Sequence, residues 1–206
     1  GQVSTVAALL ETLKLLHVYG VLPGYRLCSM SCSGGEASLM ADAAQGRKVF
    51  FPGLSAEQKA PVEAVLGERV TVDNPLDYHT YIWSDEAGMS LAYQRMLENG
   101  FDLGLLVLDF PHPEHCDDAL WQVALRAFEL AVNNSDVKAA VVTSLPENLP
   151  EKYVQQLMAQ GIAALGGFED ALVAAEVAAD IGLAWQQPTC EAVMSTLVDG
   201  ATSGRI

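Results

Sequence analysis

Ser31-Cys32-Ser33-Gly34-Gly35-Glu36 closes a short strand-like stretch and opens a helical one, and these residue types suit contact with an anion. Glycines let a backbone approach a ligand closely, and a helix start offers free N–H groups and a partial positive charge. The segment is neither a GxGxxG fingerprint nor a P-loop, so a dinucleotide or nucleoside triphosphate held in those ways is not indicated. The same glycines also serve a plain, tight strand-to-helix turn, and spacing alone does not choose between the two. Glu36 weighs on the anion side of that balance. A first-turn carboxylate supports a helix by about 0.3–1 kcal/mol. A unit charge about 4 Å from a bound phosphoryl group costs about 4 kcal/mol at an effective dielectric of 20. The repulsion is the larger effect. Glu36 therefore points away, is protonated, is paired with a cation, or marks a turn that does not hold phosphate.

A second concentration of polar and aromatic groups is Asp73-Asn74-Pro75-Leu76-Asp77-Tyr78-His79-Thr80. Asn-Pro initiates turns and Asx side chains bond their own backbone, which accounts for Asn74, Pro75 and Asp77 without any chemistry. His79 has the ring for a proton shuttle or a nucleophile, but a lone loop histidine is more often neither. His112, His115 and Cys116 lie within five residues and invite a metal reading. Two prolines stiffen that loop and no second ligand cluster accompanies it, so no metal is expected. Asp117 and Asp118 stand where a helix takes its N-cap and first-turn acids. Cys28 and Cys32 share a strand face at period two and read as small buried hydrophobes rather than a redox pair. No GxSxG elbow or Ser-His-Asp order occurs.

These groups need elements to position them. Val6, Leu9, Leu10, Leu13 and Leu16 have helical spacing, with Ser4 or Thr5 to cap the helix and Gly20 to stop it. Arg26–Cys32, Lys48–Phe51, Arg69–Val72, Leu103–Leu108 and Val137–Thr143 read as strands, with Ile162–Leu165 as a short edge strand. Helices are expected over Glu36–Ala44, Ser55–Leu66, Ser84–Glu98, Asp117–Asn133, Glu151–Gln160 and Phe168–Ile181. Ser55 with Gln58 forms a capping-box pattern. Strands alternating with helices imply an α/β fold: a flavodoxin-like, doubly wound parallel sheet of five or six strands in three α/β/α layers. Residues 1–24 are expected as a lead-in helix and linker, 25–186 as the domain, and 187–206 as an extension or tail with a loose helix over Ala192–Val198. In such a sheet ligands bind beyond the carboxyl ends of the strands, at the switch in strand order. That selects the loops Ser31–Glu36, Phe51–Ser55, Asp73–Thr80, Asp109–Asp117 and Thr143–Asn148.

Composition narrows the classes. Of 206 residues half are apolar, which excludes a disordered acidic tail. The 26 acidic and 11 basic side chains leave a net charge of −15, and the basic residues form no stripe. A nucleic-acid binder is thereby excluded. No apolar run approaches a membrane span, and the amphipathic start does not read as a secretion signal. Four cysteines without a CxxC point to reduced thiols and a cytoplasmic setting. Gly1 in place of Met implies a leftover of cloning or a piece of a longer polypeptide, one domain out of several.

The succession SCSGGEASLMADAA (Ser31–Ala44), LSAEQK (Leu54–Lys59) and VTVDNPLDYH (Val70–His79) resembles the NDP-forming acyl-CoA synthetases, relatives of succinyl-CoA synthetase. The likeness is to their flavodoxin-like ligase domain and covers about residues 20–185. It also extends to the C-terminal domain of the succinyl-CoA synthetase β subunit. It implies a reaction in which acyl-CoA, NDP and phosphate interconvert with acid, CoA and NTP through a phosphohistidine. The helix start at Ser33, Gly34, Gly35 and Glu36 matches one of two that face the phosphohistidine, with Asn74, Pro75, Asp77 and His79 as the accompanying loop. Glu36 stands where the family pattern implies a small or apolar residue. The phosphorylated histidine belongs to another domain, and no Gly-His-Gly/Ala segment occurs here. The resemblance therefore implies no cofactor held by this domain alone, while the parent enzyme uses CoA, ADP/ATP or GDP/GTP, phosphate and Mg2+. Partners would be the CoA-binding, phosphohistidine-bearing and ATP-grasp domains, met at an apolar face, with a homo-oligomer open. The domain would be inactive alone. A non-catalytic docking or assembly module with the same fold is the alternative, and a flavin-binding flavodoxin relative a weaker third.

Overall fold

A computed structural model describes residues 1–112 and 114–187. Five strands, all parallel, form one sheet: β1 (Leu27–Ser31), β2 (Leu76–Asp77), β3 (Leu103–Val107), β4 (Ala139–Thr143) and β5 (Ala163–Gly166). Their order is β2-β1-β3-β4-β5, the flavodoxin-like arrangement, with the switch point between β1 and β3. Among the described residues seven helices cover the sheet: α1 (Val6–Tyr19), α2 (Gly34–Ala43), α3 (Ala56–Leu66), α4 (Glu86–Leu97), α5 (Ala119–Asn133), α6 (Glu151–Ala159) and α7 (Phe168–Gln186). Among the described residues no helix is long and apolar enough to cross a membrane.

The strands are buried on both faces, and period-two alternation divides their side chains between two cores. Leu27, Leu103, Leu105, Val107, Ala140, Val142 and Leu165 face α1, α2 and α7. Cys28, Met30, Leu106, Val141 and Ala164 face α3, α4, α5 and α6. Small strand residues let the Ala-rich α7 lie close, with Ala171, Ala174, Ala175 and Ala178 turned inward. Cap chemistry sets the helix starts. Thr5 accepts from the Ala8 N–H at 3.0 Å, Gly20 ends α1, and Ser55 and Gln58 form a complete capping box. Ala8, Thr12 and Leu15 of α1 are buried, so this helix shares the core beneath α7.

Two expected strands are not strands. Lys48–Phe51 touches β1 through a single parallel bridge, Arg26 with Phe50. Val70 and Val72 are buried, yet Arg69–Val72 carries no ladder. Its alternation reports side-chain burial in the core beneath α3 and α4, which an extended chain achieves without pairing. The ladder forms instead at Leu76–Asp77, expected as loop, where Met30 pairs with Leu76 and Ser31 with Asp77. The edge beside β1 is thus composite. Phe50 pairs at its start and Leu76 at its end. Between them the buried Asn74 side chain donates to Leu27 O (2.9 Å) and accepts from the Ser29 N–H (3.2 Å). The expected helix over Ala192–Val198 lies outside the described residues.

Candidate functional site

The carboxyl ends of β1, β2 and β3 meet at the switch point, and the residues that follow each strand converge there. After β1 the chain turns at Cys32-Ser33 directly into α2, so Gly34 and Gly35 are the first helical residues rather than a loop before it. Ser33 is the N-cap but makes no side-chain capping bond; instead its carbonyl accepts from the Ser31 hydroxyl at 2.9 Å. The absence of a Cβ on Gly34 has a specific consequence. A Cβ there would lie 3.1 Å from Asp77 Oδ2. Glycine therefore allows the end of β2 to close against the start of α2.

Three carboxylates meet in this space. Asp77 accepts from the His79 N–H at 3.0 Å, an Asx turn that re-aims the chain after β2. Asp109, the residue after the apolar run of β3 and Leu108, accepts the Ser144 N–H (2.7 Å) and hydroxyl (2.5 Å), which ties the ends of β3 and β4 together. Among the described residues Glu36 has no such partner. Its Oε2 is shut off from solvent and makes no hydrogen bond with them. Burial raises the Glu36 carboxyl to about 7, and the Asp109 and Asp77 charges add to the shift. Among the described residues no lysine or arginine pairs with Glu36, Asp77 or Asp109, and the one basic side chain beside them is His79, with Nδ1 3.7 Å from Asp77 Oδ2. Cys32 lines the same space. Burial first, then Glu36, pushes its thiol up to about 12, so it is a protonated thiol rather than a thiolate nucleophile.

The structure thus unites Gly34, Gly35, Glu36 and Asp77 and adds Cys32, Asp109 and Ser144, which lie in loops that the sequence selects but have no individual role assigned from it. Position was the available signal for Asp109, the first polar residue after the apolar run Leu103–Leu108. Asn74 and Pro75 do not reach the space; Asn74 is spent on the sheet edge. His79 is exposed at the rim with φ of 61° and stacks on Tyr81, 6.4 Å between ring centroids. Cys28 is buried in the core as expected of a small hydrophobe, whereas Cys32 is only half-buried and faces the carboxylates. The His112 and His115 rings lie 5.3 Å apart, and no group of three potential ligands among the described residues is placed to hold a metal ion. Asp118 is the N-cap of α5 but without a capping bond; it takes the Lys152 ammonium at 2.6 Å and the Tyr153 hydroxyl instead.

No protein-family model and no curated protein matches this chain. Solved structures do match its fold. PH0766 from Pyrococcus horikoshii OT3 superposes with a TM-score of 0.67 at 18% identity, over 86% of this chain and 40% of that one. The dinucleotide-forming acetyl-coenzyme A synthetase 1 of Ca. Korarchaeum cryptofilum superposes in its apo form with a TM-score of 0.64 at 16% identity, over 89% of this chain and 39% of that one. Its complex with phosphate and ADP gives 0.63 at 16% identity, over 91% and 40%. The chain spans about two fifths of the length of each. At these identities the likeness is one of fold.

Proposed function

We propose that the chain is a ligase-type domain of a multidomain NDP-forming acyl-CoA synthetase, inactive by itself. The observation that carries this reading is the meeting of two separate sequence motifs at one point: the start of α2 at Gly34-Gly35 closes on Asp77 of the Asn74-Pro75-Leu76-Asp77 segment. The fold overlap with an acetyl-coenzyme A synthetase, nearly the whole of this chain on two fifths of that one, supports it. CoA, a nucleotide, phosphate and Mg2+ would be bound by or shared with the other domains, and the phosphorylated histidine would come from one of them.

The local chemistry has a condition attached. The N–H groups of Gly34 and Gly35 point out of the helix start and suit a phosphoryl oxygen. An ionised Glu36 beside them opposes that by about 4 kcal/mol at about 4 Å. A protonated Glu36 removes its own share of the repulsion, leaving that of Asp77 and Asp109, and can donate its own O–H. Anion binding is therefore coupled to proton uptake by Glu36. Titration of the Gly34 and Gly35 amide resonances with sulfate, whose charge is constant across the range, tests this. Sulfate is expected to bind more tightly at pH 6 than at pH 8, and Glu36→Gln to remove the difference. Unmoved Gly34 and Gly35 amides at both pH values, in both proteins, would favour the docking-module reading, which the three clustered carboxylates otherwise suit. Independently, formation of NTP from acyl-CoA, NDP and phosphate is expected only after the other domains are added. Turnover by the chain alone would refute the division of labour proposed here.

A further inference from the structure

A groove of about 550 Å³ runs between α2, the loop after β4 and the start of α7, beside the carboxylate site and sharing only Ser144 with it. Leu39, Ala43, Leu145, Pro146 and Phe168 form its apolar surface. Leu39 and Leu145 are 58% and 51% exposed, a large cost in solvated apolar area for two leucines on either side of one groove. Leu145 is not exposed by looseness of its loop. The Thr143 hydroxyl donates to its carbonyl at 2.8 Å, and Asn148 N–H does so at 3.1 Å. Ser144 is held by Asp109, and Thr143 O accepts from Gly167 N–H at 3.0 Å. A Cβ on Gly166 would lie 3.1 Å from Pro146 Cα, so glycine permits the loop to rest directly on the turn into α7. The leucine is therefore presented on a fixed backbone, and little ordering entropy remains to be lost on binding.

Charge says what the groove fits. Asp42, Glu169 and Asp170 stand on its rim. Arg47 pairs with Glu169, but no lysine, arginine or histidine among the described residues pairs with Asp42 or Asp170. Asp42 accepts from the neutral Gln45 amide and Asp170 from the Thr5 hydroxyl. We propose that this groove docks a segment of another protein domain that carries apolar side chains flanked by lysine or arginine. The leucines and Phe168 would take the apolar side chains, and Asp42 and Asp170 the cations. A second copy of this chain, with its net charge of −15, is electrostatically the wrong occupant. This docking does not depend on the ligase reading, and its test uses neither phosphate nor turnover.

The probe is a synthetic amphipathic helix of leucine and lysine, titrated into the isotopically labelled full chain and followed by amide shifts. Saturable shifts are expected at Leu39, Leu145, Phe168 and Asp170. Leu145→Ser is expected to weaken binding about ten-fold. Asp42→Asn combined with Asp170→Asn is expected to weaken it about as much at low salt and to flatten its salt dependence. These are surface changes, and retained amide dispersion confirms that the variants remain folded. A leucine–glutamate version of the peptide should not bind. Shifts scattered over the acidic surface and indifferent to Leu145→Ser would overturn the proposal in favour of bulk charge. Concentration-dependent shifts of the same residues in the chain alone would overturn it in favour of self-association.

Discussion

Glu36→Gln is expected to make the fold more stable at pH 8 and to leave it nearly unchanged at pH 5. The Glu36 carboxyl titrates at about 7 in the folded chain against an ordinary value of 4.5. Between those values the folded state holds a proton that the unfolded state has released. Stability therefore falls as pH rises from 4.5 to 7 and is flat above it. Undiscounted, a shift of this size corresponds to about 3 kcal/mol. Glu36 is half-buried, and solvent screening reduces the expected penalty to roughly 1–2 kcal/mol. Glutamine keeps the shape, cannot ionise, and removes the pH-dependent part. Urea unfolding of both proteins at pH 5, 6, 7 and 8 measures it. The gap should open between pH 5 and 7 and reach roughly 1–2 kcal/mol at pH 8. A gap of equal size at pH 5 and pH 8 would mean that Glu36 is not the titrating group.

The same cluster explains why the helix start departs from expectation. First-turn acids ordinarily stabilise a helix by about 0.3–1 kcal/mol, which is what sequence position alone suggests for Glu36. Here the helix dipole is outweighed by burial together with Asp77 and Asp109. None of the three opposing influences is local in sequence: Asp77 and Asp109 arrive from β2 and β3, and burial is a property of the closed sheet edge. The chemistry of Cys32 is hidden for the same reason. Its period-two relation to Cys28 holds, since both pack on the same core, but Cys32 lies one residue beyond the end of β1 and is only half-buried.

Legibility in the rest of the chain follows the same division. Leu103–Leu108 and Val137–Thr143 could be read as strands because a strand covered on both faces must be apolar throughout. The helix ends at Thr5, Gly20 and Ser55 follow from cap chemistry, which is local. Hydrogen-bond partners at the sheet edge are not local. Val70 and Val72 alternate with exposed residues as a strand does, yet their burial satisfies the pattern without a ladder. Leu76–Asp77, only two residues long and directly behind Asn74-Pro75, carries no periodicity from which a strand could be recognised.

That edge carries the second large effect. Asn74→Ala is expected to destabilise the fold by about 3 kcal/mol. The Asn74 amide donates to Leu27 O at 2.9 Å and Pro52 O at 3.0 Å, and its oxygen accepts from the Ser29 N–H at 3.2 Å. Phe50 pairs β1 before this point and Leu76 after it, so the side chain fills the interval where no strand lies alongside. Alanine would leave one N–H and two carbonyls without these partners, at about 1–3 kcal/mol for each that stays dry. Water reaching some of them, with local relaxation, brings the sum to about 3 kcal/mol. Asn74→Asp keeps the acceptor but loses both donations and buries a charge, so it should be no better than alanine. Asp73→Ala is the comparison: its exposed carboxylate accepts from the Asn74 N–H at 3.0 Å and meets Lys59 at 3.6 Å, and a smaller loss of about 1 kcal/mol is expected. Chemical denaturation compares the three. If Asn74→Ala and Asp73→Ala cost the same, the edge is held by β2 alone. If they differ as expected, the asparagine aligned with the turn motif is there to complete the sheet. Its loss should also shift the Gly34 amide, because the two-residue strand that sets Asp77 against α2 is then anchored at one end only.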